Sequence, residues 1–548
     1  MSPTLLTLVV FLPALGALAI ALLPGKERDN EIKWAANVIL FVDFVLSLLL
    51  LRGFDFETTE LQGVTRFEWI PSIGVEYFTG IDGMSLALIL LTTLLGTIAC
   101  LSSWTYIGTR IKEYYVYLML LQTGMLGVFI AFDFFLFYMF WEIMLVPMYF
   151  LIAIWGGKNR MYAAIKLFLY TLAGSVLMLV GILALYFYNH SVTGEWTTNV
   201  LAYYQLSIPA DLQWWVFLGF FLAFAIKVPM WPFHTWLPDA HVQAPTAGSV
   251  ILAGVLLKMG TYGFVRLSLP ILPDASIQFA PMIAVLSIIA ILYGGLVALM
   301  QKDWKSLVAY SSVSHMGFIT LGIFALNPIG LQGAVIQMLN HGVSTSGLFL
   351  VVGLVYERMH TREIAAFSGL GKVMPVFATL FAIMALSSMG LPGLNGFIGE
   401  FLILIGSFEW NPVYTYWAVW GIVLGAAYLL WLFQRVMFGE VKDDKIAALS
   451  DLNLREIATL VPLAVLAVWM GLAPNAVLKT IEPPVNAIIE RVHPGYFEGS
   501  DITPPPLPSI PGPELAADTE PEPVEEPLAA LTEGLPQNLQ AETPPEGD

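Results

Sequence analysis

Long apolar runs separated by short polar loops occupy most of the first 480 residues of the chain. A membrane-spanning helix needs about 20 consecutive, mostly apolar residues. Runs of that length lie near residues 3–23, 33–51, 84–104, 114–131, 133–154, 164–188, 213–235, 243–268, 278–300, 305–325, 330–355, 375–406, 414–437 and 457–477. The pattern therefore predicts an all-α polytopic membrane protein with about fourteen transmembrane helices.

The composition agrees with this prediction, because 57% of the 548 residues are hydrophobic and only 12% are charged. Soluble domains carry about 25% charged residues. A single cysteine, Cys100, excludes a disulfide within the chain. No cysteine cluster suits an iron–sulfur centre, and no glycine-rich loop follows a strand to hold a nucleotide. We therefore expect the lipid bilayer as a partner, and no cofactor, metal or nucleic acid bound by this chain.

The distribution of basic residues tests the span count independently, because cytoplasmic loops of membrane proteins are enriched in Lys and Arg. With the N-terminus outside, seventeen of the 24 basic residues fall in inside loops and five fall outside. The other two, Lys227 and Lys258, lie within spans. One miscounted helix would reverse every later loop and remove this bias. We expect an integral protein of a bacterial inner membrane with both termini on the periplasmic side.

Two spans contain residues that break helices. Span seven carries Lys227-Val-Pro-Met-Trp-Pro232, and span twelve carries Ser387-Ser-Met-Gly-Leu-Pro-Gly-Leu-Asn-Gly396. Proline removes a backbone donor and clashes with the preceding turn, so both helices should be interrupted within the membrane. The two sites lie five spans apart, and this odd number predicts two five-helix bundles of opposite orientation, as in inverted-repeat transporters. Two incidental proline kinks are the alternative interpretation.

This organisation divides the chain into five parts. They are helices 1–3 at residues 1–112, a first five-helix repeat (helices 4–8) at 113–268, a second, inverted five-helix repeat (helices 9–13) at 278–437, helix 14 at 457–480 and a tail at 498–548. The tail holds twelve acidic residues, twelve prolines and no Lys or Arg, and so contributes most of the net charge of −17. This composition predicts disorder.

Ionisable side chains lie inside several spans, where each costs about 2.5–3.5 kcal/mol on insertion scales. At ~1.5 Å per residue, five of them lie roughly 15–22 Å deep in a ~30 Å core, and a sixth follows the break in span twelve. The six candidates are Glu142, Lys227, Lys258, His315, His341 and Glu400. Carboxylate, amine and imidazole groups at one depth predict a proton relay along the membrane plane. Desolvation favours a neutral amine, a nearby carboxylate favours the protonated amine, and imidazole exchanges protons near neutral pH.

Most of these candidates also have a purely structural interpretation. Glu142 and Lys227 could form a static buried pair, although intramembrane charges are functional by default. His315 and His341 could equally be hydrogen-bonded packing residues. Lys258 stands among glycines without an obvious local partner, which favours a role in the relay.

Two further residues are accessory candidates. His234 follows Lys227 by seven residues, which places both on one helix face, but an interface position is the simpler interpretation. Lys166 begins span six, where a long basic side chain can reach the membrane surface without any relay role.

Six stretches of the sequence resemble one known family. They are Trp141-Glu142-Ile-Met-Leu-Val-Pro-Met-Tyr149, Lys227-Val-Pro-Met-Trp-Pro-Phe-His234-Thr-Trp-Leu-Pro-Asp239-Ala-His241-Val-Gln-Ala-Pro-Thr246, Leu257-Lys258-Met-Gly260, Ser314-His315-Met-Gly317, Met338-Leu-Asn-His341-Gly342 and Gly393-Leu-Asn-Gly-Phe-Ile-Gly-Glu400-Phe401. These stretches resemble helices 5, 7, 8, 10, 11 and 12 of the antiporter-like membrane subunits of respiratory complex I, a family shared with multi-subunit Na⁺/H⁺ antiporters. The resemblance covers roughly residues 1–480 and leaves out the acidic tail.

The resemblance implies roles for individual residues. Glu142 matches a glutamate that pairs with the Lys227-type lysine, Lys258 matches the central relay lysine, and Glu400 matches the terminal residue of the channel. Glutamate at position 400 resembles the M-type subunits, because the other antiporter-like subunits usually carry lysine there.

The function implied by the resemblance is one proton channel of an NADH:quinone oxidoreductase, driven by quinone reduction elsewhere. NADH, FMN, iron–sulfur clusters and quinone are then expected in partner subunits. Those partners are the hydrophilic redox arm and the other membrane-arm subunits, including further antiporter-like ones.

Two other functions compete with this one. The first is a subunit of a Na⁺/H⁺ antiporter without a redox complex, which Glu400 and the fourteen-span pattern disfavour. The second is a redox subunit that binds haem or quinone directly, with His315 and His341 as haem ligands. Their relay-like sequence matches disfavour that assignment.

Overall fold

Membrane-length helices dominate the part of the chain that the computed structural model describes, residues 2–23, 28–441, 443–500 and 502–511. Within these ranges, thirteen helical segments are long and apolar enough to cross a membrane. One more span is divided into two shorter helices, the first of which is the apolar Pro375–Ser388. The predicted all-α polytopic architecture is therefore confirmed, and the divided span brings the count to the predicted fourteen.

The N-terminal part contains three spans and a β-hairpin that the sequence analysis did not predict. Its elements are α1 (Pro3–Leu22), α2 (Asp29–Leu49), β1 (Gln62–Ile70), β2 (Val75–Ile81) and α3 (Gly83–Ser102). The strands are antiparallel, and a 2.7 Å ion pair between Arg66 and Glu76 links them. Asp82 follows β2 and caps α3, because its carboxylate accepts the backbone N–H of Ser85. We call the side of the molecule that carries β1 and β2 the hairpin face.

The first predicted bundle follows α3. Its elements are α4 (Ile111–Ile130), α5 (Phe134–Ile143), α6 (Leu145–Trp155), α7 (Arg160–Thr193), α8 (Val200–Gln205), α9 (Ala210–Lys227), α10 (Trp236–Gln243), α11 (Thr246–Ile251), α12 (Leu257–Gly263) and α13 (Leu269–Ile271). Two wider, π-helical segments at Leu252–Leu256 and Phe264–Ser268 join the last three helices into one span.

The second predicted bundle and the C-terminal part complete the fold. Their elements are α14 (Pro273–Leu299), α15 (Trp304–Ile323), α16 (Pro328–Met359), α17 (Leu370–Val373), α18 (Pro375–Ser388), α19 (Asn395–Trp410), α20 (Pro412–Ala418), α21 (Trp420–Met437), α22 (Asp444–Ala447), α23 (Leu454–Leu472) and α24 (Asn475–Val492). The inverted relation between the two bundles stays a prediction.

Both spans with helix-breaking residues are interrupted where the sequence analysis expects it. In span seven, α9 ends at Lys227 and α10 begins only at Trp236, whose indole N–H donates to the Ile226 carbonyl at 2.8 Å. In span twelve, α18 ends at Ser388 and α19 begins at Asn395. Side-chain donors such as this indole bond carbonyls that the interrupted helix leaves without a partner. Inside a bilayer, groups of the protein must satisfy such carbonyls, because no water is present.

Span five contains an interruption that the sequence analysis missed. It divides into α5 and α6 at Met144, one residue beyond Ile143. Pro147 has no N–H to donate to the Ile143 carbonyl four residues earlier, so the helix cannot continue regularly here. The break lies beside Glu142, one of the predicted relay residues.

The C-terminal end differs in detail from the predicted one. The last span, α23, ends at Leu472, and the separate helix α24 follows it instead of a loop. Of the predicted disordered tail, residues 498–500 and 502–511 are described, and the rest lies outside the described residues. In the described stretch, the Thr59 hydroxyl donates to the Pro506 carbonyl at 2.6 Å, and the Ser509 N–H donates to the Glu60 carboxylate at 3.1 Å.

We predict that Gly83→Val loosens α24 from the start of α3. A Cβ atom at Gly83 would lie 1.7 Å from the Thr480 carbonyl oxygen, so the helix must move away. Such overpacking costs about 1–3 kcal/mol. Limited trypsin digestion should then cut faster at Lys479 and Arg491 within the assembled protein. Gly108→Val is the control, because a Cβ there meets nothing within 4 Å, and equal digestion of the two variants would contradict the prediction.

Candidate functional site

Lys258 is fully buried, with 0% of its surface exposed, between the two π-helical segments of span eight. Its ammonium group donates to the Ala253 carbonyl and lies 2.6 Å from Nδ1 of His341 on α16. The wider π-helical turn makes the hydrogen bond to the Ala253 carbonyl possible. There the N–H of Leu257 donates to the Leu252 carbonyl, whereas an α-helix would direct it to Ala253. A local backbone irregularity therefore supplies an acceptor for the lysine.

The imidazole of His315 bridges three helices of the second bundle. Its Nδ1 lies 2.9 Å from a carboxylate oxygen of Glu400 on α19, and both side chains are buried. The same oxygen accepts the side-chain N–H of Gln337 at 3.2 Å. On the other side of the ring, Nε2 lies 3.3 Å from the hydroxyls of both Ser388 and Tyr428. Each nitrogen of His315 therefore has a partner through which a proton can pass.

Two glycines allow the surrounding backbone to close around Glu400. A Cβ atom at Gly399 would lie 2.3 Å from the side-chain oxygen of Gln337, so only glycine lets α16 approach α19 this closely. Gly390 lies in the break before α19 with φ of +78°, and its Cβ position is 3.0 Å from the second carboxylate oxygen. The break in span twelve thus covers the carboxylate.

The two histidines join these contacts into one line. The rings of His315 and His341 lie 5.8 Å apart between centroids and are tilted by 56°. Lys258, His341, His315 and Glu400 therefore follow one another across three spans of the second bundle and the end of the first. We call these four residues the buried line. The sequence analysis named all four, but it did not predict the order of their contacts.

The structure shows no direct ion pair between Lys227 and Glu142, the two residues that the family resemblance pairs. Lys227 is buried at the end of α9, 3.4 Å from the sulfur of Met144 and 5.2 Å above the ring of Trp141. It thus contacts Trp141 and Met144, which stand one residue before and two residues after the glutamate on span five. Within the described chain, Oε1 of Glu142 is buried without a hydrogen-bond partner. The sulfur of Met144, and not the carboxylate, is therefore the side-chain atom that the ammonium group contacts on span five.

The segment of Lys227 packs directly against that of Lys258. A Cβ atom at Gly260, one half-turn beyond Lys258, would lie 3.1 Å from Cβ of Lys227 and 2.8 Å from a methyl group of Val228. The glycine therefore lets span eight contact the end of α9, where span seven is interrupted. The structure shows no hydrogen bond between the two described lysines, so Lys227 and Glu142 stand beside the buried line without extending it.

The two accessory candidates lie away from the buried line. The ammonium group of Lys166 contacts the Asp239 carboxylate at 2.7 Å and the Thr235 carbonyl at 3.0 Å. The ring of His234 is buried against Tyr293 at 5.1 Å between centroids. Both residues therefore join α7, α10 and α14 near the opposite side of the membrane from the hairpin face.

Two residues that sequence reasoning did not select also lie near the buried line. His241 on α10 is fully buried and stacks on Phe349 of α16, and neither ring nitrogen has a hydrogen-bond partner among the described residues. Lys305, at the start of α15, is also buried, and its ammonium group donates to the Ala244 carbonyl at 2.5 Å. His241 stood in one of the quoted stretches, and Lys305 stood at the first position of the predicted span 305–325.

A polar cavity of about 530 Å³ reaches Lys305 from the side opposite the hairpin face. Its walls include Gln243, Asp303 and Arg362, and Arg362 forms an ion pair of 3.1 Å with Asp303. Lys305 and His241 therefore stand between this cavity and Lys258. The described residues contain no group of three or more His, Cys, Asp or Glu side chains that could hold a metal ion.

Comparisons with known proteins agree with this architecture. Residues 131–425 match the family described as NADH:quinone oxidoreductase/Mrp antiporter, TM. The NADH-quinone oxidoreductase subunit M of Rhodobacter capsulatus is 46% identical over 505 residues, which cover 89% of this chain and 97% of that protein.

Solved structures give the same result. A chain in respiratory complex I from Thermus thermophilus with bound NADH has a TM-score of 0.80 and 31% identity, covering 89% of this chain and 99% of that one. A chain of the Mrp complex from Dietzia sp. DQ12-45-1b shares the fold, with a TM-score of 0.76 at 21% identity and the same coverage of 89% and 99%.

The fold and the line of buried ionisable groups define an antiporter-like integral membrane protein. Its sequence and structural relatives are components of multi-subunit assemblies. The chain belongs to the NADH:quinone oxidoreductase/Mrp antiporter family of membrane proteins.

We predict that His315 and Glu400 stabilise the assembled protein jointly. His315→Asn and Glu400→Gln should each lower its apparent melting temperature. The double variant should lower the melting temperature by less than the sum of the two single decreases. A hydrogen bond to a charged group contributes about 1.5–3 kcal/mol, which sets the scale of the coupling. The control cycle pairs His360→Asn with Glu363→Gln, two exposed residues that should act additively. If the decreases in melting temperature were additive at both pairs, the His315–Glu400 contact would contribute nothing to the stability of the protein.

Proposed function

We propose that the chain is the antiporter-like, proton-translocating subunit of an NADH:quinone oxidoreductase of the complex I type, corresponding to the M-type subunits. The observation that carries the proposal is the buried line Lys258–His341–His315–Glu400. It links an amine, two imidazoles and a carboxylate at the depth where charge is most costly, and such groups are retained chiefly for function. The subunit M relative supports the assignment to this enzyme complex.

In this proposal, each residue along the buried line carries out a different step of proton transfer. The polar cavity beside Lys305 gives protons access from the side opposite the hairpin face, and His241 offers an exchangeable imidazole between that cavity and Lys258. Lys258 can pass a proton to Nδ1 of His341 across 2.6 Å. In this proposal the proton then passes from His341 to His315, whose ring lies 5.8 Å away between centroids. His315 then exchanges with Glu400, which is the last member of the line.

Lys227 and Glu142 act as the controlling pair in this proposal. The structure holds Lys227 against Trp141 and Met144, which stand one residue before and two residues after Glu142 on span five. A small rotation at the Met144 break would bring the ammonium group to Glu142. Because an opposite charge favours the protonated amine, such a change would alter whether Lys227 keeps its proton and so the field at Lys258.

The chain works without electron carriers of its own in this proposal. NADH, FMN, iron–sulfur clusters and quinone belong to partner subunits in the hydrophilic arm and the membrane arm. Both ring nitrogens of His315 already face buried side chains, which disfavours the alternative role of His315 and His341 as a pair of haem ligands. A Na⁺/H⁺ antiporter subunit is the second candidate, because the family model includes the Mrp antiporters.

We predict that Glu142→Gln and Lys258→Ala abolish most proton pumping in a complex that still assembles. Each removes a charge but leaves no opposite charge directly unpaired in the structure. Pumping should fall below about a tenth of normal, because a positioned proton donor or acceptor typically contributes 10²–10⁴-fold. The measurement is proton uptake into membrane vesicles, with quinone-reductase rate and native-gel assembly followed in parallel.

The matched controls for that experiment are Glu113→Gln and Lys372→Ala, which make the same chemical changes at a partly exposed and an exposed position. Normal pumping by assembled Lys258→Ala would refute the role of the buried line. Proton-coupled Na⁺ transport without any associated quinone-reductase activity would favour the antiporter instead.

We also propose that the chain lies in a bacterial inner membrane with both termini on the periplasmic side. The distribution of Lys and Arg, seventeen inside and five outside, supports this orientation. A phosphatase that is active only in the periplasm should therefore be active when fused after residue 548. A fusion at Lys158, in the loop between α6 and α7, should be inactive, and the reverse pattern would refute the orientation.

A further inference from the structure

Two side-chain amides on α16 connect the break in span twelve to Glu400. The amide nitrogen of Asn340 donates to the Asn395 backbone carbonyl at 2.8 Å and to the side-chain oxygen of Gln337 at 3.0 Å. The amide nitrogen of Gln337 in turn donates to Oε1 of Glu400 at 3.2 Å. All four residues are buried, with at most 3% of their surface exposed. We call Asn340 and Gln337 the amide chain.

The backbone at the break fixes the direction of these hydrogen bonds. A backbone carbonyl can only accept a hydrogen bond, so the Asn340 atom that faces the Asn395 carbonyl must be the amide nitrogen. That nitrogen needs an acceptor on Gln337, which is the amide oxygen. The nitrogen of the Gln337 amide therefore faces Glu400. A reversed Gln337 would bring two donors together at Asn340 and two acceptors together at Glu400.

The anchor of the amide chain, Asn395, is itself held by both sides of the break. It is the first residue of α19, and its side-chain oxygen accepts the hydroxyl of Ser387, near the end of α18, at 2.5 Å. Its side-chain nitrogen donates to the Asn340 carbonyl at 3.4 Å. The position of the Asn395 backbone carbonyl therefore depends on the interrupted helix, and the orientation of the amide chain depends on that carbonyl.

The amide chain determines what Oε1 of Glu400 can do. This oxygen faces the Gln337 amide nitrogen at 3.2 Å and Nδ1 of His315 at 2.9 Å. An ionised carboxylate oxygen accepts two such hydrogen bonds, and donors of this kind favour the ionised form. If a proton moved from Nδ1 to Oε1, that oxygen would become a hydroxyl, which is a weaker acceptor for the Gln337 N–H. The contacts thus favour a proton on His315 and a carboxylate at Glu400.

We propose that Gln337 is a positioning residue of the relay, whose amide holds Glu400 as an acceptor so that the last member of the buried line releases its proton readily. This inference rests on the proposed function and adds a residue that the buried line does not include. Without the Gln337 N–H, Glu400 keeps a proton received from His315 for longer, and release becomes the slow step.

Two other titratable side chains face this site. The Tyr428 hydroxyl of α21 lies 3.3 Å from Nε2 of His315, and the His341 ring lies 5.8 Å from the His315 ring between centroids. Within the described chain, neither residue makes a hydrogen bond to Gln337. A changed response to pH after substitution of Gln337 therefore reports on its contact with Glu400.

The test compares two substitutions of Gln337 in the assembled complex in inside-out membrane vesicles, with the same pH on both sides. Gln337→Met keeps the length of the side chain but removes its N–H donor. At the acidic end of the active range, its pumping rate relative to the unmodified complex should fall at least about tenfold, the scale of a hydrogen bond to a charged group. The relative rate should recover at the alkaline end, where Glu400 loses its proton more easily.

Gln337→Glu should show the opposite response to pH. A protonated glutamic acid at this position keeps an O–H donor for Glu400 and a carbonyl acceptor for Asn340. Its ionised form has no donor and repels the Glu400 carboxylate, so that the pair retains a proton. The relative pumping rate should be near normal at the acidic end and fall at the alkaline end. Both states occur in one assembled preparation, so this variant is decisive even if Gln337→Met does not assemble.

The matched controls make the same two substitutions at Gln122 on α4. This buried glutamine donates to the Asp43 carboxylate at 2.7 Å, outside the described contacts of the buried line. Gln122→Met and Gln122→Glu should keep the pH profile of the unmodified complex. Opposite pH profiles for the Gln122 variants as well would overturn the inference, because the response would not be specific to Gln337.

Two further results would overturn the inference. They are normal pumping by both Gln337 variants and a parallel loss in both variants at every pH, which is the result expected of a residue that only packs. Lys258→Ala separates this failure from failure of the proposed function. If Lys258→Ala abolishes pumping while the Gln337 variants pump normally, only the role of Gln337 is wrong, whereas normal pumping by all three refutes the proposed function.

Discussion

The enclosure of Lys258 by protein is the constraint on which much of this structure depends. A charged amine at the centre of a bilayer is costly unless polar groups surround it. Here the surrounding groups come from two spans, the Ala253 carbonyl on span eight and the His341 imidazole on α16. The two spans must approach closely for this contact. They do so through glycines, because a Cβ atom at Gly342 would lie 3.0 Å from the Gly254 carbonyl oxygen.

Irregular backbone recurs beside the proposed functional side chains. The break in span seven follows Lys227, the break in span five follows Glu142, the break in span twelve precedes Glu400, and π-helical turns flank Lys258. Each irregularity frees carbonyl or amide groups at membrane depth, which protein must then satisfy. In span twelve, Asn340 of α16 donates to the Asn395 carbonyl at 2.8 Å. The interrupted helices therefore provide polar surroundings that a regular helix in hydrocarbon cannot offer.

The helix α16 separates two different environments. His341 faces the polar interior, where it contacts Lys258, while Leu339 and Val343 line an apolar groove. The 3.6-residue helical period places such neighbours on different faces of one helix.

The sequence was sufficient to predict the transmembrane architecture, because each segment that crosses a bilayer must by itself be apolar and about 20 residues long. Apolar runs of span length predicted the fourteen crossings, and prolines beside Lys227 and Gly390 located two of the breaks. The break at Met144 was missed, although Pro147 signals it, because a proline within a span is often tolerated. The hairpin and α24 were also missed, since they lie outside the apolar runs and depend on packing against the ends of the spans.

The sequence also selected the ionisable residues, because any charge within a span is conspicuous. Only the tertiary structure decided their partners. His341 is 83 residues from Lys258, and Glu400 is 85 residues from His315, so no local pattern could pair them. The structure places Lys227 in contact with the Met144 sulfur and shows no direct ion pair between Lys227 and Glu142, which no pattern within one span could decide. Depth in the membrane is a property of one helix and can be read from sequence, whereas contact between helices depends on glycines and backbone irregularities in both.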